Sequence, residues 1–340
     1  MMDFKSILAA NKDRIWQEIQ IHLPATGPFD FVEMVTDYPR RQGKYGRGTL
    51  VLLSCEAFGG QVARAVRTAA AMQLSEDWLL IHDDLEDDSD ERRGQPTLHR
   101  LHGIEMATNA GDVLHILMWQ VLIANRAILD ETTTFRILQE FARFLTITAT
   151  GQHFEMALFL KKRIPLTSLE YTHVEEIMRT KSAIYSIAGP IRLGAIIAGA
   201  SEATLDQIDE FSIPLGIGFQ IRDDLLNIIG NGSVYGKEIG GDLYEGKRTL
   251  LLVHLLKNIS GPDQQAVSAI MAKPRSRKTV AEVQYIIDLM KKSGSIAFAE
   301  TRAAELAREA KNAFNRHFSG LAHKESFEAA IEFFTMKRDH

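Results

Sequence analysis

The chain has 340 residues, 45% of them hydrophobic and 24% charged, enough to bury a large core without disulfide staples. With 39 Lys and Arg against 44 Asp and Glu the net charge is −5, which excludes a basic field for nucleic acid or an anionic membrane. A single cysteine, Cys55, excludes an internal disulfide and points to a reducing, cytoplasmic setting. From Met1 to Gln20 charges are mixed and no apolar run forms, so no signal peptide is expected. Val62, Ala65, Val66, Ala69, Ala70 and Met72 then recur at helical spacing. The stretch from Ser182 to Ala200 is the most apolar, but Pro190 and Arg192 mid-span predict a buried core helix rather than a membrane span. Thr204 and Gln207 make a capping-box signature ahead of Leu205, Ile208 and Phe211. A last amphipathic stripe runs through Ile296, Ala299, Ala303, Leu306, Ala310 and Ala313. Alternating β-branched runs with Asn-Gly or Asp-Gly turns are missing, so the fold class is all-α. Punctuation is short (Gln42 to Gly48, Glu86 to Pro96, Lys161 to Pro165, Gly230 to Lys247), which predicts one large helical domain over residues 1–340.

The chemistry gathers at that punctuation. Trp78-Leu-Leu-Ile-His82 runs directly into Asp83-Asp84-Leu-Glu-Asp87-Asp88. On a helix Asp83 and Asp87 lie about 40° apart around the axis and share a face. Carboxylates at a helix C-terminus meet a negative dipole and repel each other, so the cluster calls for cations. A solvated acidic face would be the bland explanation of one such block. A second block weakens it: Phe219-Gln220-Ile-Arg-Asp223-Asp224-Leu-Leu-Asn227 repeats the design 140 residues later. Paired carboxylates of this kind suit Mg²⁺, which keeps waters and binds through one or two carboxylates plus substrate phosphates.

Basic residues follow each block. Arg92-Arg93-Gly94 comes after the first, Lys237 and Lys247-Arg248 after the second, and Gly43-Lys44-Tyr-Gly-Arg47-Gly48 adds another basic loop. Each alone is a solvated loop; together with acid-bound metal they describe a site for a polyanionic phosphate ester. Gly241 to Lys247 imitates a nucleotide-binding loop, but Arg248 follows where Ser or Thr is needed, and Asp242 and Glu245 would repel phosphate.

These motifs resemble those of the trans-prenyl diphosphate synthases, the family of farnesyl and geranylgeranyl diphosphate synthases. His82 through Gly94 is similar to the family's first aspartate-rich motif; Phe219 to Asp224, Gly236-Lys237 and Asp242 to Lys247 are similar to the second region. Asn109-Ala-Gly111-Asp112, Gly151-Gln152 and Lys181-Ser182 fall at the expected places between. The resemblance implies a bundle of mostly antiparallel helices around a central cavity, usually a homodimer without membrane insertion. Asp83, Asp84 and Asp87 would hold Mg²⁺ from one wall and Asp223 and Asp224 from the other, with three ions once substrate is bound. Arg92, Lys181, Lys237 and Lys247 would grip an allylic diphosphate (dimethylallyl, geranyl or farnesyl), and Lys44, Arg47 and Arg93 would hold isopentenyl diphosphate. Lys181, Ser182 and Gln220 would face the allylic cation. Trp78, five residues before Asp83, would floor the cavity and limit products to C15–C20, with C20 favoured; the alternative is that Trp78 is plain core.

Three positions depart from the family pattern. Asn227 replaces the third aspartate of the second motif, Gly48 replaces a proline and is expected to loosen its loop, and Glu76 stands where His or Gln contacts isopentenyl diphosphate. A carboxylate there repels a diphosphate unless Lys44 or an arginine intervenes. Two other readings stay open. A terpene cyclase would need only one substrate, and a regulatory, non-catalytic subunit of a heteromeric synthase would be expected to lose one dyad.

Overall fold

The computed structural model describes residues 4–159, 163–230, 238–322 and 324–334. Lys237 and Gly236 lie outside the described residues, as does Lys161. Helices make up most of the described chain, as the periodicity predicts, and they form two compact units. Unit one comprises residues 1–144, 186–210 and 314–330; unit two comprises 145–185, 211–313 and 331–340. The divisions fall inside helices rather than in linkers.

In unit one the helix Val62–Glu86 is the hub. It packs against Phe4–His22, Gly46–Ala57, Ile104–Ala124 and Gly189–Ile197. The sequence predicts a single apolar stripe here, yet Thr68 through Ser75 are buried without a break. Small residues at 69, 70, 71 and 75 let neighbours approach on several sides, so the helix is enclosed rather than amphipathic. Gly48 belongs to the same packing. It sits in the first turn of Gly46–Ala57, and a Cβ there would lie 3.1 Å from the Ala69 carbonyl oxygen. Its role is therefore close approach between helices, not a loosened loop.

The apolar stretch from Ser182 is a π-helical segment, Met178–Ala188, continuing into Gly189–Ile197. Arg192 is buried, its Nε donating to Glu140 at 2.7 Å and Nη1 to Asp209 at 3.1 Å, so the charge inside this helix is matched. Among the described residues no helix is long and apolar enough to cross a membrane. The following helix, Glu202–Ile229, starts before the expected cap: Ser201 Oγ accepts the Thr204 N–H at 3.2 Å, which makes Ser201 the capping group and places Thr204 inside.

Unit two is built around Leu250–Asn258, whose Leu250 to Val253, Leu255 and Leu256 are buried against Tyr171–Ile177 and Val280–Lys292. Thr279 and Glu282 close a capping box on Val280–Lys292. Ala299, Ala303 and Leu306 of Ser295–Phe318 join that core, as their spacing predicts.

Candidate active site

The first acidic motif lies at a helix end, as predicted. Asp87 caps Val62–Glu86, its N–H bonding back to the Asp83 carbonyl at 2.8 Å. Asp84 is fully buried. It accepts from Tyr38 Oη at 2.6 Å and holds Arg92 in a fork, with Nε 2.9 and 3.1 Å from its two oxygens and Nη2 completing the second prong. Arg92 Nη2 also stands 3.6 Å from Asp83. Burial would lower the Arg92 pKa, but Asp84 and then Asp83 raise it, so a fixed cation lies against the dyad.

A hairpin delivers that arginine. Glu91–Arg92 pairs antiparallel with Gln95–Pro96 across Arg93-Gly94, whose φ angles are +54° and +72°. Two left-handed residues define the turn that suits a two-residue hairpin. The turn carries neither Asn-Gly nor Asp-Gly, and an arginine in that conformation is uncommon. Arg93 is held there by its side chain, Nη1 donating to the Tyr38 carbonyl at 2.7 Å and to Asp77 at 2.9 Å.

Beside it lies the predicted isopentenyl-binding set. Arg47 Nη1 is 3.1 Å from one Glu76 oxygen and Arg93 Nη2 is 3.6 Å from the other, while Arg47 Nη2 donates to Ser186 at 2.8 Å. Both arginines therefore bear directly on the carboxylate at position 76. Burial opposes the charge on Glu76, but Arg47, Arg93 and a Gln73 hydrogen bond outweigh it and hold its carboxyl below the ordinary range. Asp77, more deeply buried, is pushed up to about 7 despite Arg93. Lys44 is exposed, just ahead of Gly46–Ala57.

Trp78 begins an aromatic stack. Its ring lies 4.6 Å from that of His115, and Trp119 Nε1 donates to His115 Nε2 at 2.9 Å. Phe141 continues the series 6.5 Å from Trp119.

In unit two, Asp224 is buried and accepts from Gln220 Nε2 at 2.9 Å. Burial, then Asp242, then Asp223 push its carboxyl well above the usual range, with Lys247 opposing. Asp242 is thus a third carboxylate of this cluster. Asn227 fastens the loop that brings it: its Oδ1 accepts the Asp242 N–H at 3.1 Å, its Nδ2 donates to the Glu238 carbonyl at 3.4 Å, and its own carbonyl accepts from Gly240 at 2.7 Å. Lys247 Nζ lies 3.0 Å from Glu245. Lys181 reaches Glu155, and Ser182 follows it in the π-helical segment. Among the described residues no three His, Cys, Asp or Glu side chains converge into a ready-made metal cage. The donor chemistry nevertheless fits a hard divalent cation: the ligands on offer are carboxylate oxygens, and mutual repulsion at Asp224 marks a place where positive charge is wanted.

A family model described as polyprenyl synthetase matches residues 30–290. The chain belongs to that family. The short chain isoprenyl diphosphate synthase of Methanothermobacter thermautotrophicus is 32% identical over 300 residues, covering 88% of this chain and 87% of the relative. The geranylgeranyl diphosphate synthase of Sulfolobus acidocaldarius is 31% identical, covering 81% and 80%. Among solved structures, the geranylgeranyl pyrophosphate synthetase of Pyrococcus horikoshii superposes with a TM-score of 0.84 at 28% identity, over 98% of this chain and 99% of that one.

Sequence reasoning missed Tyr38, Asp77, Glu155 and Asp242 as candidate site residues. Tyr38 lies 46 residues from Asp84, and Glu155 lies 26 from Lys181. No local spacing signals such pairings. Asp242 sits in a segment that imitates a phosphate loop, and its meaning depends on the fold-back that Asn227 fastens.

Proposed function

We propose that this polyprenyl synthetase is a prenyltransferase joining isopentenyl diphosphate to an allylic diphosphate, releasing a C15–C20 trans-prenyl diphosphate, with C20 favoured. The observation that carries the reading is the doubled acidic motif, Asp83, Asp84 and Asp87 in one unit and Asp223, Asp224 and Asp242 in the other, each with basic side chains nearby. Both dyads are retained and the relatives are named as synthases, so neither a terpene cyclase nor a non-catalytic subunit gains support.

Mg²⁺, when bound, neutralises the diphosphate and draws charge away from the breaking C–O bond. Asp83, Asp84, Asp87, Asp223, Asp224 and Asp242 are the carboxylates proposed to hold it. Arg92, Lys181, Lys237 and Lys247 bind and orient the allylic diphosphate; Lys44, Arg47 and Arg93 do so for isopentenyl diphosphate. The C–O bond breaks with its electrons going to the diphosphate, the isopentenyl double bond attacks the allylic carbon, and a proton passes to a diphosphate oxygen. Lys181, Ser182 and Gln220 present their polar atoms to the cation, which must be kept from the water that would quench it. We further propose a cytoplasmic homodimer working as one functional domain, in which a second copy covers Ile116, Ile123 and Phe135, exposed at 57%, 50% and 61%.

The test uses labelled isopentenyl diphosphate, Mg²⁺ and allylic starters of five, ten and fifteen carbons, with an EDTA control. The expected result is one elongated alcohol after dephosphorylation, lost with EDTA. No elongation from any starter would sink the reading.

A further inference from the structure

Glu76 meets both Arg47 and Arg93. Each of its oxygens faces a different guanidinium, at 3.1 and 3.6 Å, and its side chain is only 15% exposed. The arginines are committed elsewhere as well: Arg47 to Ser186, and Arg93 to Asp77 and the Tyr38 carbonyl. Glu76 thus brings one negative charge to the cluster of Arg47, Arg93 and Asp77. A neutral side chain at position 76 would leave it one positive charge richer.

We propose that Glu76 is a built-in competitor for the homoallylic diphosphate: its carboxylate occupies the faces of Arg47 and Arg93 that a diphosphate would take. Binding then requires either that Glu76 turn away or that it remain as a like charge beside the phosphate. In both cases affinity for isopentenyl diphosphate is held down, while the allylic site, with its own carboxylates and basic residues, is untouched. The arrangement sets a high threshold concentration of the homoallylic substrate for turnover. This inference rests on the prenyltransferase reading.

The opposite role is also physically clear, and the experiment separates them. If Glu76 instead held the arginines in position for the substrate, removing its charge would weaken binding. Glu76→Gln and Glu76→His are compared with the wild type and with Glu76→Asp, which keeps the charge. The expected result is a fall in KM for isopentenyl diphosphate on the order of tenfold in the first two, the scale set by one charge near a half-buried anion. KM for the allylic starter stays constant, and Glu76→Asp gives no such fall. Calorimetric titration of isopentenyl diphosphate in metal-free buffer with EDTA reads the same difference without turnover, so a variant with damaged chemistry still reports. An unchanged or raised KM and Kd in Glu76→Gln and Glu76→His, with wild-type elongation intact, overturns the competitor. Absence of elongation in the wild type overturns the function itself instead.

Discussion

Trp78 and Asn227 show how much one side chain decides here. The Trp78 indole rests against His115, and His115 is in turn held by Trp119, so a second aromatic layer lies behind the first. Cutting Trp78 to alanine removes the first layer and leaves the second. Trp78→Ala is therefore expected to lengthen the product by a limited step, and adding His115→Ala to lengthen it again, as read by chromatography of the dephosphorylated alcohols. An unchanged product length in both would make Trp78 ordinary core. Asn227 illustrates the reverse case, in which a departure from the family motif is explained by its contacts. Its amide nitrogen donates to the Glu238 carbonyl, which an ionised aspartate cannot do. A further carboxylate would also crowd Asp223, Asp224 and Asp242. The neutral amide trades a possible ligand for a fastened loop.

Element by element, legibility follows the range of the interaction. The acidic helix end at Asp83 and the Ile296 stripe were readable because they depend on residues three to five apart. The Arg93-Gly94 hairpin was not, because an arginine accepts a left-handed backbone only where Tyr38 and Asp77 hold its side chain. Likewise nothing in Thr180 or Lys181 announces a π-helical segment. Gly151 is the place to test that segment. A Cβ at Gly151 would lie 2.5 Å from Thr180 Oγ1 and 2.6 Å from the Lys181 backbone nitrogen. Glu155, one turn on from Gly151, is the residue that Lys181 reaches. In an isolated helix Gly→Ala gains about 1 kcal/mol. Here overpacking reverses the sign, and Gly151→Ala should cost about 1–3 kcal/mol in urea unfolding. It should also displace Lys181 and lower kcat. A stabilised, fully active variant would show that the two helices separate easily.

At the scale of the whole molecule, the proposed cation sites would couple metal binding to stability through their carboxylates. Burial and neighbouring Asp242 and Asp223 raise the Asp224 pKa in the folded chain. A group with a raised folded pKa stabilises the fold while protonated and loses that contribution as pH climbs through the folded value. A divalent cation can replace the proton, but only after the carboxyl has released it. The stabilisation by Mg²⁺, taken as the difference in Tm between Mg²⁺ and EDTA, should therefore grow from pH 5 to pH 8. At a hundred times its Kd the ion contributes about 2.7 kcal/mol. Spread over an unfolding entropy of about 2 cal/mol/K per residue, that amounts to roughly 4 °C for a chain of this length. Asp224→Asn should raise the Tm in EDTA at pH 8, since a repelling charge is gone, and shrink the Mg²⁺ increment. Taking the difference at each pH cancels every titrating group remote from the cation, so the result reports on the clusters alone. An increment that is the same in Asp224→Asn, or larger at pH 5 than at pH 8, would mean that the second carboxylate cluster is not where the ion binds.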